Sequence, residues 1–196
     1  MKRTTTLLLT CLLIGLLPSP RARAEDSPRR LAIGVNLLQP LVYGIGSSFF
    51  ESSLFLPLSL EGHLSLSGPF GLATTVQYRY QRDGDLVING LALLLGPRLQ
   101  ITGSHFDGLY AALKLGIGFN AGHDYYLGRY DRLDLLVQPE VGYSIALGAL
   151  FLSFGVGLQG QFALITDQAS SWEWTGLGRM LTSYTPVANL TVGFCL

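Results

Sequence analysis

The sequence predicts an all-β protein: an eight-stranded antiparallel up-and-down transmembrane β-barrel that follows a cleaved signal peptide. The first observation is a strict alternation between Leu54 and Leu66, where leucines occupy one side of a strand and polar residues the other. A strand of about 13 residues is long enough to cross a bilayer at a tilt, which takes about 9–11 residues. The second observation is that the same alternation returns along the chain and closes it at 184–196.

The first residues have the three parts of a secretory signal peptide. A basic start at 1–3 is followed by an apolar run at 7–17 and an A-x-A sequence at 22–24. The apolar run is too short to cross a membrane as a helix. We therefore expect residues 1–24 to be removed and residues 25–196 to form one outer-membrane β-barrel domain.

Charge and cysteine content further restrict the partners that the protein can have and the source of its stability. The full chain has 13 basic and 13 acidic residues, and removal of residues 1–24 takes four basic residues, which leaves a net charge of −4. This balance argues against nucleic acid as a partner. Cys195 is the only cysteine after residue 24, so no internal disulfide can form and stability must come from the sheet.

The stretch 141–166 has no charged residue, so hydropathy alone would predict a membrane helix there. Its glycines weaken a helix, and the residues from Leu150 to Leu158 alternate at the period of a strand. We interpret the stretch as two strands joined by a tight turn around Gly148. Paired strands also satisfy every backbone polar group, which a bilayer requires.

Eight segments with strand character can be placed along the mature chain. Their even number allows a closed antiparallel barrel, and short connections alternate with long ones, with a tight hairpin at 83–85 as the exception. In bacterial outer-membrane barrels the short turns face the periplasm, so both mature termini are expected there. The segments are 31–42, 54–66, 70–82, 86–101, 109–120, 133–146, 149–163 and 184–196.

Prolines and aromatic residues refine this layout. Pro57 and Pro186 are expected to end the strand ladder near the outer rim, whereas Pro97 and Pro139 lie deeper and predict either a bulge or a different strand boundary at each. Aromatic residues form two bands typical of membrane interfaces. The band near the inner rim contains Phe70, Phe106, Tyr110 and Phe194.

The signal peptide, the eight alternating segments and a terminal amphipathic strand ending in Phe194-Cys195-Leu196 resemble the small outer-membrane β-barrel proteins, in the group of the OmpA transmembrane domain and OmpX. The resemblance implies a location in the cell outer membrane of a Gram-negative envelope. It also implies two partners: outer-membrane lipid, and the assembly machinery that recognises a terminal strand of this kind.

An eight-stranded barrel is narrow enough to be filled by its own side chains, so a wide channel is disfavoured. Alternation places three acidic and three basic residues in the lumen, with Glu61 expected near Arg79 and Lys114 near Glu140. A polar filling that closes the barrel is the main interpretation, and a proton or ion path is the alternative. The six residues are Glu61, Arg79, Arg98, Lys114, Asp134 and Glu140.

One arrangement suggests catalysis. His63 and Ser65 share a strand face, where an imidazole can activate a hydroxyl while Glu61 orients the ring. The pair resembles the His-x-Ser arrangement of outer-membrane lipid A deacylases of the PagL type. In that family the pair lies toward the C-terminal end and faces lipid, whereas here it lies in the second strand and faces the lumen. A polar lumen stripe is the competing interpretation.

The loops contain the residues best suited to recognition, although aromatic residues at this depth also serve as interfacial anchors. No histidine has further ligands at metal spacing, so no metal or cofactor is expected. The sequence therefore predicts a barrel that supports the envelope or contacts an unknown extracellular ligand, with a lipid-modifying enzyme as the alternative. The loop residues are Tyr125, Tyr126, Arg129, Tyr130, Trp172 and Trp174.

Overall fold

The computed structural model describes residues 30–41, 53–83, 86–103, 106–124, 128–168 and 181–196. No helix within these ranges is long and apolar enough to cross a membrane. Eight strands follow one another along the chain. They are β1 (Leu31–Asn36), β2 (Ser53–Ser67), β3 (Phe70–Asp83), β4 (Leu86–Gln100), β5 (Gly108–Asp124), β6 (Gly128–Leu147), β7 (Leu150–Gln168) and β8 (Leu181–Cys195).

The eight strands form one closed barrel in sequence order. Each strand is antiparallel to the next, and β1 closes the ring by pairing with β8 as well as with β2. The predicted all-β antiparallel ring is therefore confirmed. The stretch 141–166 also forms two strands, because β6 ends at Leu147 and β7 starts at Leu150 after a turn at Gly148.

The short turns lie together with the start of β1 and the end of β8 at one end of the barrel, here called the turn end. Gly68 and Gly148 adopt φ values of 54° and 62° in two of these turns, a conformation that glycine reaches without steric cost. At the same end, Leu196 N donates to Leu31 O at 2.7 Å. The opposite end, called the loop end, joins β1 to β2, β3 to β4, β5 to β6 and β7 to β8.

Large hydrophobic side chains are exposed on the outside of all eight strands. In β2, Leu58, Leu60 and Leu66 are half exposed, whereas Ser59 and Glu61 on the other face are buried. The leucine alternation therefore separates an apolar exterior from a polar interior. One exposed residue from each strand in turn is Ile33, Leu60, Val76, Leu93, Leu115, Val141, Val156 and Phe194.

The first strand is shorter than the predicted segment 31–42. It ends at Asn36, whose side-chain oxygen accepts hydrogen bonds from the backbone N–H of Leu38 at 3.0 Å and of Gln39 at 3.4 Å. Such local bonds turn the backbone out of a strand. Pro40 follows and lacks the N–H that a ladder needs. The segment 37–41 consequently leaves the wall of the barrel.

The prolines differ from expectation. Pairing continues beyond Pro57 to Ser53 and beyond Pro186 to Leu181, so neither proline ends a ladder. Pro97 and Pro139 face outward, and neither produces the predicted bulge. The β4–β5 and β6–β7 ladders skip two residues at these positions and resume in the same register. Each proline lacks one N–H donor, and the unbroken ladder on the other side of its strand keeps the register without an inserted residue.

The register shifts lie elsewhere, at Ser65/Ser67, Leu133/Asp134 and Gln161/Phe162.

Candidate functional site

The barrel interior is organised around the carboxylate of Glu140, which is 3% exposed. Tyr110 Oη donates to Glu140 Oε1 at 2.7 Å. The other oxygen, Oε2, accepts from Asn189 Nδ2 at 2.8 Å and Gln138 Nε2 at 3.0 Å, and lies 2.8 Å from Lys114 Nζ. Hydrogen-bonding and charge partners of this kind offset the cost of burying a carboxylate.

Strand register brings these groups together. Lys114 pairs with Gln138 across β5 and β6, so Glu140 is its diagonal neighbour on the same face. The Lys114–Glu140 pair is therefore where the hairpin register predicts it. Gly155 on β7 leaves room for the cluster, because a Cβ there would lie 2.8 Å from both Glu140 Oε1 and Tyr110 Oη.

Glu61 does not contact Arg79, contrary to expectation. In the β2–β3 hairpin Glu61 lies opposite Thr75, and Arg79 lies four residues further along β3, opposite Pro57. Glu61 Oε2 instead accepts from Thr191 Oγ1 at 2.8 Å. Thr75 Oγ1, across the hairpin, accepts from the Lys114 ammonium at 3.1 Å, which brings the lysine close to the second buried carboxylate.

His63 packs as a buried ring. It is 2% exposed, and its centroid lies 5.2 Å from that of Phe151 and 6.3 Å from that of Tyr110. Its Nε2 is 3.7 Å from Glu61 Oε2, too far for a hydrogen bond, and neither ring nitrogen has a hydrogen-bond partner in the described chain. His63 and Ser65 thus lack the base-to-nucleophile hydrogen bond of a hydrolase.

Arg98 is held by aromatic and hydroxyl groups. Its guanidinium carbon lies 4.0 Å from the ring centroid of Tyr110 and 5.9 Å from that of Phe106. One Nη donates to Ser144 Oγ at 2.7 Å, and among the described residues no carboxylate oxygen lies within 4.0 Å. The Tyr110 face supplies the main electrostatic contact to this buried cation.

A second charged group occupies the lumen toward the loop end. Asp134 accepts from Asn120 Nδ2 at 2.9 Å and from Arg132 Nε at 2.5 Å, and Arg79 donates to Asn120 Oδ1. The six predicted charges therefore form two groups: Glu61, Lys114 and Glu140 with Arg98 beside them, and Arg79 with Asp134. Arg132 was not predicted as part of the lumen, although it lies two residues before Asp134 on the same face.

The turn end is closed by apolar side chains. Phe106, in the turn before β5, packs edge to face against Phe151 with centroids 5.8 Å apart. Gln100 Nε2 donates to the backbone oxygens of Thr102 and Asp107, both at 3.1 Å, and fixes this turn. Phe106 is 3% exposed and Tyr110 is 1% exposed, so their prediction as outward aromatic residues is wrong.

The segment after β1 fills the lumen above the Glu140 cluster. Gln39 is 5% exposed, and its Nε2 donates to Asn189 Oδ1 at 3.1 Å. Its Oε1 accepts from Gln77 at 3.2 Å and Ser59 at 3.4 Å. Sequence reasoning missed this residue because the segment was predicted to be part of a straight strand. The signal was the Asn36 to Pro40 sequence, which favours a turn.

Of the predicted loop residues, Arg129 is the one whose side chain the structure describes. Arg129 is 81% exposed and its Nε lies 2.6 Å from Asp131 Oδ2. Tyr130 belongs to β6, and its side chain is outside the description. Tyr125, Tyr126, Trp172 and Trp174 lie outside the described residues.

The chemistry of the interior is that of hydrogen-bonded filling. Within the described ranges, no group of three or more histidine, cysteine or acidic residues is suited to hold a metal ion. A small cleft toward the loop end, partly open to solvent, is lined by residues that include Gln77, Arg79 and Asn120. Comparison of the chain with protein-family models, curated proteins and solved structures gives no match.

Proposed function

We propose that the protein is a β-barrel of a bacterial outer membrane, with a filled lumen, which supports the envelope or presents loops for surface contact. The observation that supports this proposal is the polarity of the barrel. Its exterior carries large hydrophobic side chains on every strand, whereas its interior buries three carboxylates, an ammonium and a guanidinium. In water a protein is stable with polar side chains outside and apolar ones inside, whereas in a bilayer the stable arrangement has apolar side chains outside.

The distribution of charge on the outside supports the same proposal. Among the side chains described, Arg30, Arg82 and Arg129 are the exposed charged ones, and each lies at an end of the barrel. The band between them contains no exposed charge. A charged side chain facing lipid costs about 2–4 kcal/mol near the midplane, so a band of this kind suits the hydrocarbon region.

In this proposal the signal peptide directs export, the turn end faces the periplasm, and the β8 strand is recognised by the assembly machinery. The interior acts as a structural filling. Lys114 and Glu140 pair in the middle, and Phe106 and Phe151 close the turn end. A filled lumen leaves the outer surface and the loops as the places where the protein contacts lipid or other molecules.

Fractionation of a Gram-negative host that produces the full chain tests the proposal. We expect the protein in the outer-membrane fraction, with an intact mass that starts after Ala24 and with slower electrophoretic migration after boiling. A cytoplasmic or inner-membrane location, or a predominantly helical circular dichroism spectrum in detergent, contradicts it. Increased detergent sensitivity of cells that lack the protein indicates the envelope role, and unchanged sensitivity favours surface contact.

A further inference from the structure

The two exposed arginines at the loop end belong to one row across four strands. Arg82 pairs with Val87 between β3 and β4, and Val87 pairs with His123 between β4 and β5. His123 in turn pairs with Arg129 on β6. Because neighbouring strands lie about 4.8 Å apart, Arg82 and Arg129 are about 14 Å from each other.

Alternation places this row on the outer face. Arg82 follows the exposed Tyr78 at an even spacing on β3, and His123 follows the exposed Phe119 in the same way on β5. Arg82, His123 and Arg129 are all exposed. The row therefore faces the same surroundings as the apolar band.

The height of the row relates it to the membrane surface. The next row on this face still contains the polar side chains of Asn89 and Asp131. The apolar band begins one row further, with Tyr78, Leu91, Phe119 and Leu133, which also pair in register. Four residues from Tyr78 to Arg82 span about 13 Å along a strand, which is about 10 Å along the membrane normal at a tilt of 35–45°. The row runs perpendicular to the tilted strands, so Arg82 and Arg129 differ in height by about 8–10 Å, and the row extends from the edge of the hydrocarbon region into the level of the lipid headgroups.

The chemistry of the row favours phosphate. A guanidinium carries five N–H donors, and the contact from Arg129 Nε to Asp131 Oδ2 at 2.6 Å uses one of them. That contact holds Arg129 in place while its side chain remains 81% exposed. Arginine N–H groups form charge-assisted hydrogen bonds with phosphate oxygens, and His123 offers a further donor.

We propose that Arg82, His123 and Arg129 bind the phosphate-bearing headgroup of a lipid in the leaflet on the loop side. This inference rests on the proposed membrane location. A lipid, and not free phosphate, is the ligand because the apolar band begins two rows below the arginines on the same outer face. Leu91 and Phe119, in the strands between the arginines, lie below the row where acyl chains pack when the headgroup is bound.

Native mass spectrometry of the mature protein in mild detergent tests the site, with lipid A and dephosphorylated lipid A as probes. We expect the R82Q/R129Q variant to retain lipid A about tenfold less than the wild type, because it loses two charge-assisted contacts. R30Q is the matched control, since it removes an exposed arginine at the opposite end. It should retain lipid A as the wild type does.

Equal retention of lipid A by R82Q/R129Q and the wild type overturns the inference. It is also overturned if R30Q loses as much lipid A as R82Q/R129Q does. Equal retention of the two probes by the wild type also overturns it. Displacement of lipid A by excess inorganic phosphate identifies a site for free anions instead of a lipid site.

Heat modifiability and protease protection in vesicles, measured for every variant, separate the headgroup proposal from the proposed membrane location. If all variants insert and retention is unchanged, the headgroup site alone is wrong. If the wild type does not insert, the membrane location is wrong as well.

Discussion

Lys114 Nζ lies 2.8 Å from Glu140 Oε2, and both side chains are 1% exposed. The pair joins β5 to β6 inside the barrel, and the same carboxylate accepts from Tyr110, Gln138 and Asn189. Two neighbouring strands and the more distant β8 are thereby joined through a single group. The removal of one partner leaves an unpaired charge in a region without access to water.

The first prediction concerns this pair. Lys114→Met should destabilise the barrel by about 3–5 kcal/mol, because Glu140 is then left buried without its cation. The double variant Lys114→Met/Glu140→Gln should recover part of the loss, since neither charge remains. Urea unfolding from lipid vesicles, analysed as a double-mutant cycle, measures the coupling. A double variant whose loss equals the sum of the two single losses shows that the pair contributes nothing.

A second prediction tests the outward face and its depth. Leu60 and Leu66 lie on the same face of β2, and both are 52% exposed. Leu60 is in the middle of the strand and Leu66 is next to its end. Leu60→Arg should cost about 2–4 kcal/mol in a bilayer, and Leu66→Arg about 0–1 kcal/mol, because the cost depends on depth. Urea unfolding from vesicles compares the variants. Equal losses contradict a membrane midplane near Leu60.

The fold was predictable because one face of each strand is apolar over many residues. Alternation from Leu54 to Leu66 determines which residues face outward, and a shift by one residue would reverse every side chain. The end of β1 was not predictable from alternation, because it depends on hydrogen bonds from the Asn36 side chain to the backbone. The tolerance of Pro97 and Pro139 depends on the unbroken ladder on the other side of each strand, so their presence alone did not predict a bulge.

Glycines that face the lumen provide a third prediction. A Cβ on Gly155 would lie 2.8 Å from Tyr110 Oη and Glu140 Oε1, whereas a Cβ on Gly118 would lie 3.2 Å from a methyl group of Leu136. Gly155→Ala should therefore destabilise the protein by about 1–3 kcal/mol through overpacking. Gly118→Ala should cost less, since Leu136 can move. Thermal unfolding in detergent ranks the two variants, and a larger loss in Gly118→Ala contradicts the placement of the Glu140 cluster.

The interior charges illustrate how far a sequence determines a site. Lys114 and Glu140 follow from the register of one long hairpin. Glu61 was assigned to the wrong partner, because a hairpin that turns at 67–69 places Thr75, and not Arg79, opposite Glu61. Contacts between distant strands, such as Asn189 with Glu140, depend on the closure of the ring, which no local pattern encodes.

A fourth prediction concerns permeation. The lumen contains the Glu140 cluster in its middle, Gln39 above it, and Phe106 with Phe151 at the turn end. Reconstituted protein should therefore give no steady conductance of the size that porins show. Recordings from planar bilayers, with a porin measured under the same conditions, test this expectation. Stable porin-sized steps contradict a filled lumen.

The last prediction tests the closure of the turn end. Phe106 packs in a cluster with Phe151, Ala32 and Cys195, and Cys195 is 4% exposed. Phe106→Ala should remove most of this cover, lower stability by up to about 3–5 kcal/mol, and let a water-soluble maleimide react with the Cys195 thiol in the folded protein. Phe70→Ala is the matched control, because Phe70 starts the neighbouring hairpin strand at the same end and is 61% exposed on the outer face. In Phe70→Ala the Cys195 thiol should stay protected from the maleimide. Rapid reaction of the Cys195 thiol with the maleimide in the wild type would show that Phe106 does not close this end. Continued protection of the thiol in Phe106→Ala would show the same.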